Sequence, residues 1–279
     1  MLVDKPEGIT SHDAVQRVRR ALEIRSAGHT GTLDPFATGL LVVLLGRATR
    51  LARFVEAEAK TYRAVARLGV RTDTDDRTGT VLQERSVEGL DPRAVREALA
   101  RFAGPGRQRP PAYSAKHVAG ERSYRLARRG EAVEPAEVAV MVHAVEWLSW
   151  TPPELEFRIT VSAGTYIRAV ARDLGAALGV GGHLRALRRE AIGALRVDDA
   201  VPLETVGPGA VRPPGAVLGH LPAVVLDRAG RLDAVHGRRV AASAGSPGEL
   251  ARLMAGEELV AIGRREPEGW QPLVVLGTV

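Results

Sequence analysis

The chain has 279 residues, of which 45% are hydrophobic and 26% charged, values typical of a globular protein that buries its core without cross-links. It contains no cysteine, which excludes disulfides, thiolate catalysis and cysteine-ligated zinc or iron–sulfur sites. The formal net charge of +6 and the pI near 10.2 favour a polyanionic partner.

The first hundred residues predict alternating strands and helices. The stretch "LVDKPEG" indicates a short strand, and a helix follows that either Thr10 or Ser11 can cap. Residues 61–69 alternate between apolar and polar positions and predict a half-buried strand. The stretch "LDPRAVREALARF" predicts a helix with Asp91 as its N-cap and Pro92 at its first position.

A basic segment, Arg101–Gly130, follows this helix. It holds eight Lys and Arg side chains against Glu121 alone, so its charge of 8 − 1 = +7 exceeds that of the whole chain. Tyr113 and Tyr124 lie among these cations, and basic groups interleaved with rings are typical of an RNA-binding surface. The alternative is a solvated basic face without a ligand.

The second half adds further strands and one helix. The stretch "ELEFRITVS" predicts a strand, "TYIRAVARDLGAAL" a helix and "AIGALRV" another strand. No regular βαβ period is present, so we expect an α+β fold with a central mixed, mostly antiparallel sheet flanked by helices. Residues 206–222 are rich in Pro and Gly and predict a linker between a large domain, 1–205, and a small β-rich domain, 223–279.

Several familiar chemistries have no motif in this chain. P-loop, Rossmann, HExxH and GxSxG patterns are absent, and the seven histidines show no metal-site spacing. The longest apolar run, Leu40–Leu45, has six residues, and the N-terminus lacks the features of a signal peptide. We therefore expect a cytoplasmic protein that uses neither a metal nor a cofactor and does not contact a membrane.

Polar and aromatic side chains at the edges of predicted elements are the remaining candidates for chemistry. Asp34 is followed by Pro35, which restricts its backbone and holds the carboxylate in one orientation. An ordinary Asp–Pro turn is the alternative. Other such groups belong to the stretches "GHTG", "KTYRA" and "GTYIRA": His29, Lys60, Tyr62, Tyr166 and Arg168.

An ordered set of short stretches resembles the TruB family, the bacterial tRNA pseudouridine-55 synthases. From Leu2 to Ala191 the stretches are "DKPEGITS", "GHTGTLDPFATGLL", "GRATR", "KTYRAVARLG", "RTDTDD", "RPPAYSA", "GERSYRLAR", "GTYIRAVARDLG" and "LRR". One departure is "SAKHVAG", in which Lys116 stands where an apolar residue is common and His117 where a lysine is.

The resemblance implies an isomerase that flips uridine 55 out of the tRNA T-loop and converts it to pseudouridine, acting as a monomer without a cofactor. It assigns catalysis to three residues: Asp34, Tyr62 and Arg168. Asp34 would be the nucleophile, and the charge of Arg168 would keep it ionised. It also implies a PUA-like C-terminal domain. His29 would stack into the vacated RNA, and Lys5 would bind the substrate or instead support a turn. The other substrate-binding positions are Tyr166, Leu187 and, in the basic segment, Arg109, Arg122 and Arg125.

Two rival functions fit the same residues. A guide-dependent or rRNA-directed pseudouridine synthase would share the core, and a tRNA chaperone would bind and refold RNA without chemistry. All the catalytic-type residues are present, which argues against a chaperone that has lost activity, but the two roles could coexist.

Overall fold

The structure is a computed structural model, and it describes residues 1–113, 117–118, 121–122, 135–241 and 245–278. For residues 117–118 and 121–122 the description is confined to the backbone. The substrate-binding prediction for Arg125 lies outside the described residues, as does that for the side chain of Arg122. Within the described ranges, none of the helices combines the length and apolarity that crossing a bilayer requires.

The helices begin where the sequence supplies local caps. Thr10 accepts a hydrogen bond from the Asp13 N–H (3.0 Å), and the Asp13 carboxylate accepts one from the Thr10 N–H (3.0 Å), which forms a capping box. Asp91 caps a later helix whose first residue is Pro92. The α-helices described are α1 (Ser11–Ala21), α2 (Ala52–Glu56), α3 (Pro92–Ala100), α4 (Ile167–Ala177) and α5 (Arg228–Val235).

The strands are numbered in chain order. Those before residue 130 are β1 (Leu2–Lys5), β2 (Ala27–Thr30), β3 (Thr38–Leu45), β4 (Lys60–Leu68), β5 (Val70–Thr72), β6 (Val81–Glu84), β7 (Gly104–Gln108), β8 (His117–Val118) and β9 (Glu121–Arg122). Those after it are β10 (Val138–Thr151), β11 (Glu154–Val161), β12 (Gly182–Ile192), β13 (Leu195–Arg196), β14 (Val201–Pro202), β15 (Ala223–Val225), β16 (Leu250–Ala255), β17 (Glu258–Glu266) and β18 (Gly269–Val275).

The chain divides into two compact units, of which the first combines Met1–Asp34, Leu40–Ala57 and Gly193–Val279. In this unit β1 lies between β14 and β3, and β2 pairs antiparallel with β3. The strands β15 to β18 form a separate sheet in chain order, with α5 packed on it. Arg50 donates to the Val275 carbonyl (2.7 Å) and Arg47 to that of Leu276 (3.5 Å), so this C-terminal sheet is attached to the segment after β3.

The second unit, Pro35–Gly39 with Glu58–Ile192, contains an antiparallel sheet in the order β12, β4, β11, β10, β7. The first residues of β3 pair parallel with β12, which makes the arrangement mixed. One sheet face is apolar, and α4 packs on its strands β12 and β4. The side chains that β11 contributes to this face are fully buried: Leu155, Phe157, Ile159 and Val161.

The opposite face of the same sheet carries cross-strand ion pairs between exposed or half-exposed side chains. Arg63 contacts Glu156 (2.6 Å), and Arg185 contacts Glu154 (2.8 Å). Arg158 contacts both Glu146 (2.6 Å) and Glu190 (2.8 Å). Exposed pairs of this kind contribute little stability, about 0–1 kcal/mol each, but they fix which charges face one another.

The predicted α+β class, the mixed and mostly antiparallel sheet flanked by helices, and the β-rich C-terminal part are confirmed. The strand predicted for "AIGALRV" is interrupted: Ala191 and Ile192 are the last residues of the long strand β12, and Leu195–Arg196 form the short strand β13. Gly193, with a positive φ of 53°, makes the turn between them. Leu218, in the stretch predicted as a linker, is fully buried.

Candidate active site

The loop that carries Asp34 connects β2 to β3 and is anchored on both sides of the carboxylate. The Ser11 hydroxyl, at the start of α1, donates to the Leu33 carbonyl (3.1 Å) and accepts from the Leu33 N–H (2.9 Å). Leu33 and Phe36 are both buried, whereas Asp34 is half-buried. A rigid backbone with a reachable carboxylate is the arrangement that a catalytic acid group requires.

Gly39 fixes the point at which this loop enters β3. Its φ is +102°, and a Cβ built on it would lie 2.3 Å from the Arg189 carbonyl oxygen and 2.7 Å from the Arg189 nitrogen. The backbones of β3 and β12 therefore approach too closely at this point for any other residue.

We expect Gly39→Ala to lower the free energy of unfolding by at least about 2 kcal/mol, because it adds a backbone clash to an unfavourable φ. Gly46, just beyond the other end of β3, is the matched control: its φ is +53°, with nothing within 4 Å of a built Cβ. Gly46→Ala should cost about 1 kcal/mol, the strain of a left-handed residue alone. Denaturant unfolding followed by circular dichroism gives both values, and equal losses would contradict the clash.

Tyr62 and Leu187 lie on the apolar face of the second unit's sheet. Tyr62, in β4, is 7% exposed, and its register partners are Ile159 on β11 and Arg189 on β12. Leu187 is 8% exposed and faces Ala64, the next position along the same face. The sheet therefore places a tyrosine ring, a leucine and a buried arginine at neighbouring positions of one face.

Arg168, the second residue of α4, is 5% exposed and is bound on several sides. One terminal nitrogen donates to the Thr74 carbonyl (3.1 Å) and lies 3.5 Å from an Asp76 carboxylate oxygen. The other donates to the Tyr113 carbonyl (3.0 Å). A planar guanidinium held in this way has one orientation, which a flexible lysine would not keep.

The loop between β5 and β6, which contacts Arg168, is held in shape by Asp76. The sequence did not single out this residue as a candidate. Asp76 is 4% exposed, and its carboxylate accepts from the Thr74 hydroxyl (2.9 Å), the Thr78 N–H (2.9 Å) and the Thr78 hydroxyl (2.6 Å). The signal was present in "RTDTDD", since alternating Thr and Asp side chains form loops bonded to their own backbone.

A second arginine of α4 reinforces this arrangement. Arg172, one turn after Arg168, donates to the Asp75 carboxylate (2.8 Å) and to the Arg109 carbonyl (2.9 Å). Burial raises the pKa of the Asp75 carboxyl, and the charge of Arg172 opposes this effect. The carboxylate is thus kept in a desolvated position by its cationic partner.

The other predicted site residues are placed as follows. The Lys5 ammonium is buried and donates to the carbonyls of Pro6 and Ile9, both at 2.8 Å, so it supports the turn after β1. His29 is half-buried on β2, opposite Val43, and Tyr166 directly precedes α4. Lys60 donates to the Glu58 carbonyl (2.7 Å).

In the basic segment, Arg109 is exposed and follows the end of β7. Arg107, within β7, forms an ion pair with Glu137 (3.0 Å). The catalytic and substrate-binding roles of all these residues stay predictions.

Comparison with known proteins gives the family. A model of the N-terminal domain of TruB family pseudouridylate synthases matches residues 19–167. A "tRNA pseudouridine synthase B" of Gloeobacter violaceus is 43% identical over 99% of this chain and 98% of that protein. One of Burkholderia pseudomallei is 43% identical over 86% of this chain and 82% of that protein.

Solved structures agree on the fold. A chain in the crystal structure of a Cbf5–Nop10–Gar1 complex is 26% identical, with a TM-score of 0.75 over 99% of this chain and 84% of that one. The family model covers more than half of the sequence, and the similarity to the curated relatives extends over nearly all of it. The chain therefore belongs to the TruB family of pseudouridylate synthases.

Proposed function

We propose that this protein converts uridine 55 in the T-loop of tRNA to pseudouridine, with Asp34 as the catalytic carboxylate. The observation that carries the proposal is the 43% identity, over nearly the whole chain, to relatives named tRNA pseudouridine synthase B. The anchored loop around Asp34 supports the assignment of the carboxylate, because its backbone is fixed at Leu33 while the side chain stays half-exposed.

The reaction needs no external atoms or electrons. The bond between the ribose C1′ and the uracil N1 breaks, the base turns, a bond forms between C1′ and C5, and the C5 proton leaves while N1 gains one. An ionised carboxylate can assist either by attack on the base or at the sugar carbon, and both routes remain within the proposal. We therefore expect activity in the absence of metal or cofactor.

The target base must leave the T-loop stack before it can react. Tyr62 and Leu187, side by side on the apolar sheet face, are suited to contact the flipped uracil. Arg168, buried and fixed in orientation, supplies a positive charge in the same unit, and His29 is proposed to stack into the vacated RNA. The basic segment would supply salt-sensitive attraction to phosphates through residues such as Arg109, Arg122 and Arg125.

A guide-dependent synthase is less well supported than a stand-alone enzyme. The identity to the chain in the Cbf5–Nop10–Gar1 complex is 26%, against 43% for the relatives named tRNA pseudouridine synthase B. Binding or refolding of tRNA without chemistry would not require a carboxylate on an anchored loop and a buried arginine.

The test is incubation of the purified protein alone with an unmodified tRNA transcript, followed by mapping of pseudouridine along the RNA. We expect modification at position 55 and also in an isolated T-stem-loop. Activity that appeared only with added guide RNA or accessory proteins, or only at other positions, would contradict the proposal.

A further inference from the structure

The start of α4 is held by a residue that is distant in sequence. Tyr166 is the N-cap residue of α4, but its side chain makes no capping hydrogen bond to the helix, and Gly164, with a φ of +83°, lies two residues before it. Uncapped helix ends fray, because their first N–H groups have no partner within the helix. Arg168 belongs to this first turn, so its position depends on how the turn is fixed.

Gln108, the last residue of β7, supplies the missing restraint. Its side-chain oxygen accepts from the Tyr166 N–H (2.8 Å), and its side-chain nitrogen donates to the Tyr166 carbonyl (3.0 Å). Gln108 is 5% exposed, so both bonds are shielded from water. A buried amide that satisfies both main-chain groups of one residue fixes the position and the rotation of that peptide segment.

The segment that begins at Gln108 and ends at Tyr113, here called the insert root, is joined to α4 at further points. Arg172 donates to the Arg109 carbonyl (2.9 Å), and Arg168 donates to the Tyr113 carbonyl (3.0 Å). Pro110 and Pro111 of the insert root are buried. The insert root and the first two turns of α4 therefore form one hydrogen-bonded assembly within the second unit.

We propose that Gln108 is a positioning residue, which holds the first turn of α4 and thereby the Arg168 guanidinium in the orientation that the reaction requires. The inference rests on the proposed function, since it assigns Arg168 to the chemistry. It adds that hydrogen bonds to Tyr166 and to Arg168 itself join the insert root, at the start of the basic segment, to the catalytic arginine.

The test is a double-mutant cycle with Gln108→Met, which keeps the side-chain volume and removes both hydrogen bonds, and Arg168→Lys. The rate is measured as release of the C5 hydrogen from a tritiated tRNA transcript, under single-turnover conditions at saturating protein. We expect Gln108→Met to slow this step by about 100-fold, the size of effect that misplacement of a reacting group produces. Tritium release and RNA affinity are measured separately, and the affinity should stay within about 3-fold, because no phosphate contact is removed.

In the Arg168→Lys background, Gln108→Met should have almost no further effect if Gln108 acts through Arg168. The matched control is Gln271→Met, which removes a similar bond from a side-chain amide to a backbone carbonyl (Gly237, 3.1 Å) in the C-terminal sheet. Its rate should equal that of the wild-type protein. Thermal denaturation of each variant separates a local effect from general loss of structure.

Three outcomes would overturn the inference: an unchanged rate for Gln108→Met, an equal slowing in both backgrounds, or a loss only at temperatures where the variant unfolds. If Gln108→Met does not fold, the cycle is repeated with Gln108→Asn. This variant keeps a neutral amide at the buried site but is one methylene too short to hold both main-chain groups of Tyr166, and its loss should again be confined to the Arg168 background. Absence of turnover by the wild-type protein would overturn the proposed function together with this inference.

Discussion

Asp34→Asn should abolish pseudouridine formation while the protein folds and binds tRNA normally. The amide matches the carboxylate in shape but cannot act as a nucleophile or carry its charge, so we expect the rate to fall by at least about 10⁴-fold, as for other essential catalytic groups. The anchors of the loop, Leu33 and Phe36, are untouched by the change, which is why folding should survive. The measurement is tritium release from a labelled transcript, with filter binding for RNA affinity.

Asp91→Asn is the matched control for this experiment. Asp91 caps α3, and asparagine is an equally good N-cap, so activity and stability should both match the wild-type protein. Turnover by Asp34→Asn within about 10-fold of wild type would remove Asp34 from the chemistry. Loss of RNA binding together with activity would instead indicate that the carboxylate supports the binding surface.

Arg168→Lys should give the second-largest loss, about 100-fold or more in the single-turnover rate, with RNA affinity nearly unchanged. The guanidinium contacts the carbonyls of Thr74 and Tyr113 and the carboxylate of Asp76 at once. A lysine ammonium keeps the charge but cannot span these three partners. A large loss despite the conserved charge would therefore show that orientation matters as well as charge.

The control for Arg168→Lys is Arg158→Lys. Arg158 lies on the exposed face of the second unit's sheet, opposite the face on which α4 packs. Arg158 also contacts more than one partner, Glu146 and Glu190, but its side chain is 40% exposed. Its replacement should leave the rate within about 2-fold, because exposed pairs contribute little. If Arg168→Lys were as active as Arg158→Lys, the buried arginine would have only a structural role.

Local signals allowed part of the fold to be predicted from the sequence. The helix α3 was predicted with its cap, Asp91, and α1 with Thr10 as one of two candidate caps, because these residues act within one turn of the helix start. The strand β11 was predicted, because its strict alternation is visible without any partner strand.

The parts that depend on distant contacts could not be predicted. The strand β12 has the sequence "GHLRALRREAI", rich in helix-forming Leu, Arg and Ala, and it is extended because β4 and β3 pair with it. The contacts of Gln108 with Tyr166, 58 positions away, and of Arg168 with Asp76 have no counterpart in local sequence patterns. At the site, the sequence indicated candidate residues but not the network that holds Arg168.

The cross-strand ion pairs on the exposed sheet face affect how strongly the affinity of the protein for a polyanion depends on salt. Arg63, Arg158 and Arg185 contact four carboxylates there, Glu146, Glu154, Glu156 and Glu190. Arg67 and Arg188 lie on the same face, so five arginines are offset by four carboxylates and the face is close to electrically neutral. The three arginines in these ion pairs are already compensated and should displace few counterions from RNA. The slope of log affinity against log salt concentration should therefore be shallower than a count of the arginines would give.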